Sequence, residues 1–194
     1  MTRLAIRHLL LALLLVLTPL AARASEGEDL YRKGQYVEAL AWWTAAAEKG
    51  DVEAARRLGV EYMDGKRGVV ERDFEKARRY HLQAAMGGEP RSMLDLGTIY
   101  ENGYGVPESL EEAARWYMWG AKYGLGTAQY NIALMLETGE GGRQDLVEAY
   151  MWQALGAQDG WKKMPEAKFD LRNPPPDTAM GLLAPKLTPA QRAE

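Results

Sequence analysis

Glu112-Ala113-Ala114-Arg115-Trp116-Tyr117-Met118-Trp119-Gly120-Ala121-Lys122-Tyr123-Gly124 is one of four versions of a single phrase. The others run from Glu38 to Gly50, from Lys76 to Gly88 and from Glu148 to Gly160, so equivalent residues recur at spacings of 38, 36 and 36. A period in this range, carried by helical elements, predicts a solenoid of helix pairs. The fold class expected is all-α, a right-handed α-solenoid of antiparallel helix pairs.

Each column of the phrase has a physical reason. Ala39, Ala77, Ala113 and Ala149 stand three residues before Trp42, Tyr80, Trp116 and Trp152, which stand five before Ala47, Ala85, Ala121 and Ala157. Offsets of 0, 3 and 8 share one helical face. The small residues let a neighbouring helix approach, and the aromatic column Trp42, Tyr80, Trp116 and Trp152 is expected to fill the space between pairs and supply most of the buried area. The closing Gly fits a left-handed helix terminus. Asp73, Ser109 and Asp145 sit where an N-cap would start the second helix, with Lys76, Glu112 and Glu148 three residues on.

Upstream lies the first helix of each pair. Leu58-Gly59-x-x-Tyr62 corresponds to Leu96-Gly97-x-x-Tyr100 and Ile132-Ala133-x-x-Leu136, with Ala54, Ser92 and Ala128 four residues earlier. Turns rich in glycine follow: Asp64-Gly65-Lys66-Arg67-Gly68-Val69, Asn102-Gly103-Tyr104-Gly105-Val106 and Thr138-Gly139-Glu140-Gly141-Gly142. Lys66 and Arg67 account for the longer unit, as an insertion in a loop.

This pattern resembles the SEL-one-like repeat family, a relative of the tetratricopeptide repeats. The resemblance covers a shortened first unit (28 to 50, within a partial unit over 25 to 50) and full units 51 to 88, 89 to 124 and 125 to 160. The chain departs from the pattern at the compressed Gly34-Gln35-Tyr36 turn and in the last unit, which lacks the turn Val and has Ala133 for Gly and Leu136 for Tyr.

Residues 1 to 24 read as a secretory signal peptide. Arg3 and Arg7 precede the aliphatic run Leu9 to Leu17, and Ala22-Arg23-Ala24 gives a small-x-small site with cleavage expected after Ala24. The run is too short for a membrane span of about 20 residues, so no membrane insertion is expected after cleavage. Of 24 Lys and Arg, removal of Arg3, Arg7 and Arg23 leaves 21 against 27 acids, taking the formal charge from −3 to −6. Beyond Gly160 the repeat fails. Trp161 opens a helix-like stretch to about Leu171, Asn173 and the prolines after it stop it, and 177 to 185 and 188 to 192 read as short helices of a C-terminal cap over 161 to 194.

The composition removes several chemistries. With no Cys among 194 residues there is no thiol nucleophile, Cys-ligated metal or disulfide, and the acidic balance gives no reason to expect nucleic acid. His81 shares a column with Trp43, Tyr117 and Gln153 and so reads as a packing or rim residue. Ser25, Ser92 and Ser109 lack the sequence context of a nucleophile. The glycine turns follow helices rather than strands, unlike phosphate-binding loops. Outside the core column, Trp119 and Trp161 read as packing between units, with stacking on a sugar or anchoring of a peptide as the functional alternative.

The expectation is therefore a non-enzymatic exported scaffold, without metal or cofactor, most simply periplasmic. Its partner is expected to be a protein or peptide of the cell envelope. The resemblance implies roles in envelope regulation, exopolysaccharide export or cell-wall assembly. A cell-wall-acting enzyme, a penicillin-binding protein or a glycan-binding module is the alternative. By analogy with tetratricopeptide repeats, Arg56, Val60, Leu94, Thr98, Tyr130 and Leu134 are expected to face a concave partner groove, with Glu101 and Glu137 at its rim.

Overall fold

The computed structural model describes residues 20–66 and 68–159. Eight helices follow one another there: α1 (Leu20–Arg32), α2 (Tyr36–Ala47), α3 (Val52–Asp64), α4 (Phe74–Met86), α5 (Pro90–Asn102), α6 (Leu110–Lys122), α7 (Gly126–Thr138) and α8 (Leu146–Asp159). They form four pairs, and the second helix of each pair packs on the first helix of the next, with α3 also touching α1 and α5. The only other pairing among the described residues is an isolated bridge between Lys66 and Val70, which folds the longer turn back on itself.

The helix starts are local chemistry. Asp73 accepts from the Lys76 amide at 2.9 Å, Ser109 from Glu112 at 3.2 Å and Asp145 from Glu148 at 2.9 Å, as the spacing predicts. The first helices of two units are capped as well, by Asp51 on the Ala54 amide and Glu89 on the Ser92 amide. Units are joined by one repeated terminus: Gly50, Gly88 and Gly124 take positive φ, and the next amide reaches back to Ala46, Ala84 or Gly120. That is the hydrogen-bond pattern of a Schellman stop, which satisfies carbonyls the helix end would otherwise orphan.

The first unit is a complete helix pair, and its economy lies in the turn, 33–35, against 65–73 in the second unit. The cleavage point expected after Ala24 falls within α1. Past that point Glu26 accepts from Trp42 Nε1 at 3.2 Å, Gly27 lies against Trp43, and Glu28 pairs with Arg57 at 2.7 Å. The helices expected over 161 to 194, and Trp161, lie outside the described residues.

The core corrects one expectation. Ala39, Ala77, Ala113 and Ala149 are fully buried, as are Ala47, Ala85 and Ala121 within 5%. Trp42, Tyr80, Trp116 and Trp152, however, are only half-buried and pack on the edges of the core. The deepest large column is the one beside it: Trp43, His81, Tyr117 and Gln153. The reason lies in the opposing first helix. Gly27 faces Trp43, Gly59 faces His81 and Gly97 faces Tyr117, each so closely that a Cβ would overlap the ring. The missing side chain on one helix is the space that the ring on the other occupies. In the last unit the same two positions hold Ala133 and the slimmer Gln153, both buried.

Candidate partner-binding surfaces

The seams between units are chemically matched. The residue preceding the Leu column reaches back to the buried column of the unit before it. The Arg57 guanidinium stands over the Trp43 ring at 5.9 Å, Asp95 Oδ2 lies 3.5 Å from His81 Nδ1, and the Asn131 side chain hydrogen-bonds Tyr117. Burial, followed by the Arg56 charge, lowers the His81 pKa from 6.5 to about 4. Burial, reinforced by Glu89 and opposed by Arg56, raises Asp95 from 3.8 to about 6. Burial also raises Tyr117, whose hydroxyl donates to Glu101 at 2.7 Å.

Ser92, His81 and Asp95 thus meet, but not as a nucleophilic triad. Ser92 Oγ at 3.3 Å and Asp95 at 3.5 Å both address Nδ1, whereas a relay needs the two groups on opposite ring nitrogens. Ser92 and His81 are both 0% exposed, so no substrate reaches the hydroxyl. The cluster is a seam. Among the described residues no group of three or more His, Asp or Glu side chains is arranged to hold a metal ion.

The eight residues expected at the groove are distributed unevenly. Arg56 is 9% exposed and donates through Nε to Glu53 at 2.8 Å, which lowers the Glu53 pKa. Val60 and Leu94 are half-buried, and Leu94 packs against the cluster of the last two units. Thr98 and Glu101 meet at the Tyr117 hydroxyl. Glu137 is half-buried, and its carbonyl accepts from Gln144. Tyr130 and Leu134, one helical turn apart on α7, are open to solvent at 38% and 44%.

A second surface was not anticipated. At the first junction the Lys66 ammonium lies 3.5 Å above the Tyr36 ring and 4.7 Å from the Tyr31 centroid. At the second, Tyr104 stacks on Phe74 with centroids 4.9 Å apart, and Tyr104, Val106 and Leu82 pack against the cluster of Ala85, Met93, Leu96 and Ile99. At the third, the counterparts of Tyr104 and Val106 are Glu140 and Gly142, and a cleft of about 420 Å³ opens between α6 and the 139–145 turn. Met118, Ile132 and Met135, the counterparts of Leu82, Leu96 and Ile99, line it. Trp119, 53% exposed, is a wall of this cleft rather than packing between units. The signal was present in the alignment, in the loss of the turn Val from the last unit.

Comparison with known proteins agrees with this architecture. The Sel1 repeat family model matches residues 20–51, 52–89, 90–117 and 126–160. The fold is similar to that of a Sel1 repeat protein from Oxalobacter formigenes, with a TM-score of 0.66 and 27% identity over 71% of this chain and 56% of that one. A protective antigen of uropathogenic Escherichia coli with an SLR fold gives 0.66 and 28% identity over 73% of this chain and 31% of the other. A stretch of 59 residues is 46% identical to the ERAD-associated E3 ubiquitin-protein ligase component HRD3A of Arabidopsis thaliana. That stretch is 30% of this chain and 9% of the plant protein, so the chain spans only part of each of these relatives.

Proposed function

Because the chain belongs to the Sel1 repeat family, whose members generally mediate protein–protein interaction, we propose that it is an exported, periplasmic scaffold that holds a segment of a cell-envelope protein. The observation carrying this reading is the pair Tyr130 and Leu134, large side chains left in solvent at 38% and 44% on the first-helix face of the last described unit. Aromatic and aliphatic anchors of this kind supply most of the binding energy of peptide interfaces. Export is supported by the Arg3, Arg7 and Leu9 to Leu17 pattern, and the contacts of α1 from Glu26 onward remain in a chain beginning at Ser25. The role fits envelope regulation or the assembly of exopolysaccharide or wall material.

The test is crosslinking in the native envelope, comparing the natural chain with Tyr130→Ala/Leu134→Glu. Capture of a specific protein, lost in a double variant that melts at the same temperature, is expected. Unchanged capture overturns the placement. N-terminal sequencing of the periplasmic protein should begin at Ser25, and an intact Met1 on a protein confined to the cytoplasm overturns export.

A further inference from the structure

We propose that the cleft between α6 and the 139–145 turn is a socket for an aromatic side chain carried by a partner's peptide segment, with a carboxylate beside it to meet Lys122. The proposal rests on the scaffold reading but concerns a different surface from Tyr130 and Leu134.

The chain itself shows what fills such a space. One unit earlier, the equivalent site is covered by the Tyr104 ring and the Val106 side chain, which with Leu82 pack against a cluster that includes Leu96 and Ile99. The apolar floor is retained in the last unit as Met118, Ile132 and Met135, while the plug is gone. Two further replacements act in the same direction. Ala114 stands where the preceding unit has Arg78, which widens the opening, and Trp119 stands where it has Gln83, which adds a ring to the wall. Ile132 and Met135 are buried at 3% and 4% exposure, so the apolar surface an aromatic occupant would gain is the half-buried Met118 and the exposed Trp119.

The charges select what accompanies the ring. Arg115 is held by Glu111 and Glu112, and Arg143 by Asp145 and Glu148. Lys122 has only the Trp119 ring, 5.4 Å away, and no carboxylate among the described residues, and Glu140 on the turn has no ion pair there either. A partner carboxylate would complete it. The segment that covers the preceding junction, Tyr104 to Val106, is itself peptide, which favours a peptide over a glycan.

The probe is the acetylated and amidated hexapeptide Gly-Tyr-Gly-Val-Pro-Glu, a copy of residues 103–108, titrated into the full chain with labelled methionine methyls and fluorinated tryptophan. Saturable shifts at Met118, Met135 and Trp119 are expected, absent with a Tyr→Ala peptide and severalfold weaker with Glu→Gln. The variant Glu140→Tyr/Gly142→Val should restore the plug, raise the melting temperature and abolish the shifts. Gly142 has no atom within 4 Å of a Cβ built on it, so the valine has room. Ala114→Arg, copying Arg78, is the second plug should the first fail to fold.

Several results would overturn the proposal. They are no shifts at millimolar peptide, shifts that persist in the plugged variants, or shifts produced by wall oligosaccharides and not by peptide. Concentration-dependent shifts without peptide would assign the cleft to a second copy. Contacts from Trp161 or Phe169 to the Met118 methyl in the free protein would assign it to the chain's own tail. Loss of peptide binding with envelope capture still dependent on Tyr130 and Leu134 would remove this socket and leave the scaffold reading standing.

Discussion

Gly97 on α5 is the floor on which the Tyr117 ring of α6 rests, and a methyl group at residue 97 would coincide with the edge of that ring. Gly97→Ala should therefore cost about 1 to 3 kcal/mol, since overpacking displaces a ring that has nowhere to go. Tyr117→Gln, copying the Ala133 and Gln153 arrangement of the last unit, should be costly alone because it removes buried ring and the bond to Glu101. The double variant should cost less than the sum of the two, by about 1 kcal/mol or more, in urea denaturation. Strict additivity would show that the two positions do not share one space.

The His81 and Asp95 pair predicts opposite pH responses that cancel in the natural protein. His81 is depressed from 6.5 to about 4, so its contribution is present above pH 6.5 and lost as pH falls toward 4. Asp95 is raised from 3.8 to about 6, so its contribution is present below pH 3.8 and lost as pH rises through 6. Asp95→Asn should unmask a loss of stability on acidification from pH 6.5 to 4. His81→Gln should unmask the reverse slope. Melting temperatures across that window check both signs, and parallel profiles for the two variants would refute the two shifts.

Ala113 and Glu111 separate the inner from the outer face of α6. Ala113 is 0% exposed, and Ala113→Leu should cost about 1 to 3 kcal/mol. Glu111 is exposed and bonds only Arg115, so Glu111→Ala should change stability by less than about 0.5 kcal/mol. Equal melting temperatures would invert the assigned face.

Ser109→Ala removes the hydroxyl that accepts from the Glu112 amide. A loss of about 1 kcal/mol is expected, read from thermal unfolding, with Ser109→Asp retaining most of the stability. If Ala and Asp at this position melt alike, the cap contributes nothing.

What was legible in the sequence was local or periodic. The caps at Asp73, Ser109 and Asp145 act over three residues, and the Ala columns repeat without exception, so spacing alone located them. The buried column does not stand out in the sequence because its members, Trp43, His81, Tyr117 and Gln153, share no chemistry, whereas the half-buried Trp42, Tyr80, Trp116 and Trp152 look uniform. Adjacent helical residues differ by about 100° in direction, so periodicity alone does not say which of two neighbouring columns points deeper. The deciding information lay on the other helix, in Gly27, Gly59 and Gly97. The cleft needed a comparison of one junction with the next: an absent valine reads as a missing contact only when Tyr104 and Val106 are seen covering the equivalent floor. Arg56 is buried at 9% exposure with its charge set among Glu53, Glu89 and Asp95, a surrounding that the analogy with tetratricopeptide repeats does not supply.

An array with identical joints can gain, lose or exchange modules freely. Here the backbone repeats but the joints do not: Arg57 answers Trp43, Asp95 answers His81, and Asn131 answers Tyr117. Copying residues 89–124 in tandem would set a second Asp95 against a tyrosine hydroxyl, and exchanging the second and third modules would leave His81 facing an amide. Each module therefore carries the address of its predecessor. Growth of such a chain by duplication requires a compensating substitution at every new joint, which keeps the order of its modules fixed once those joints have diverged.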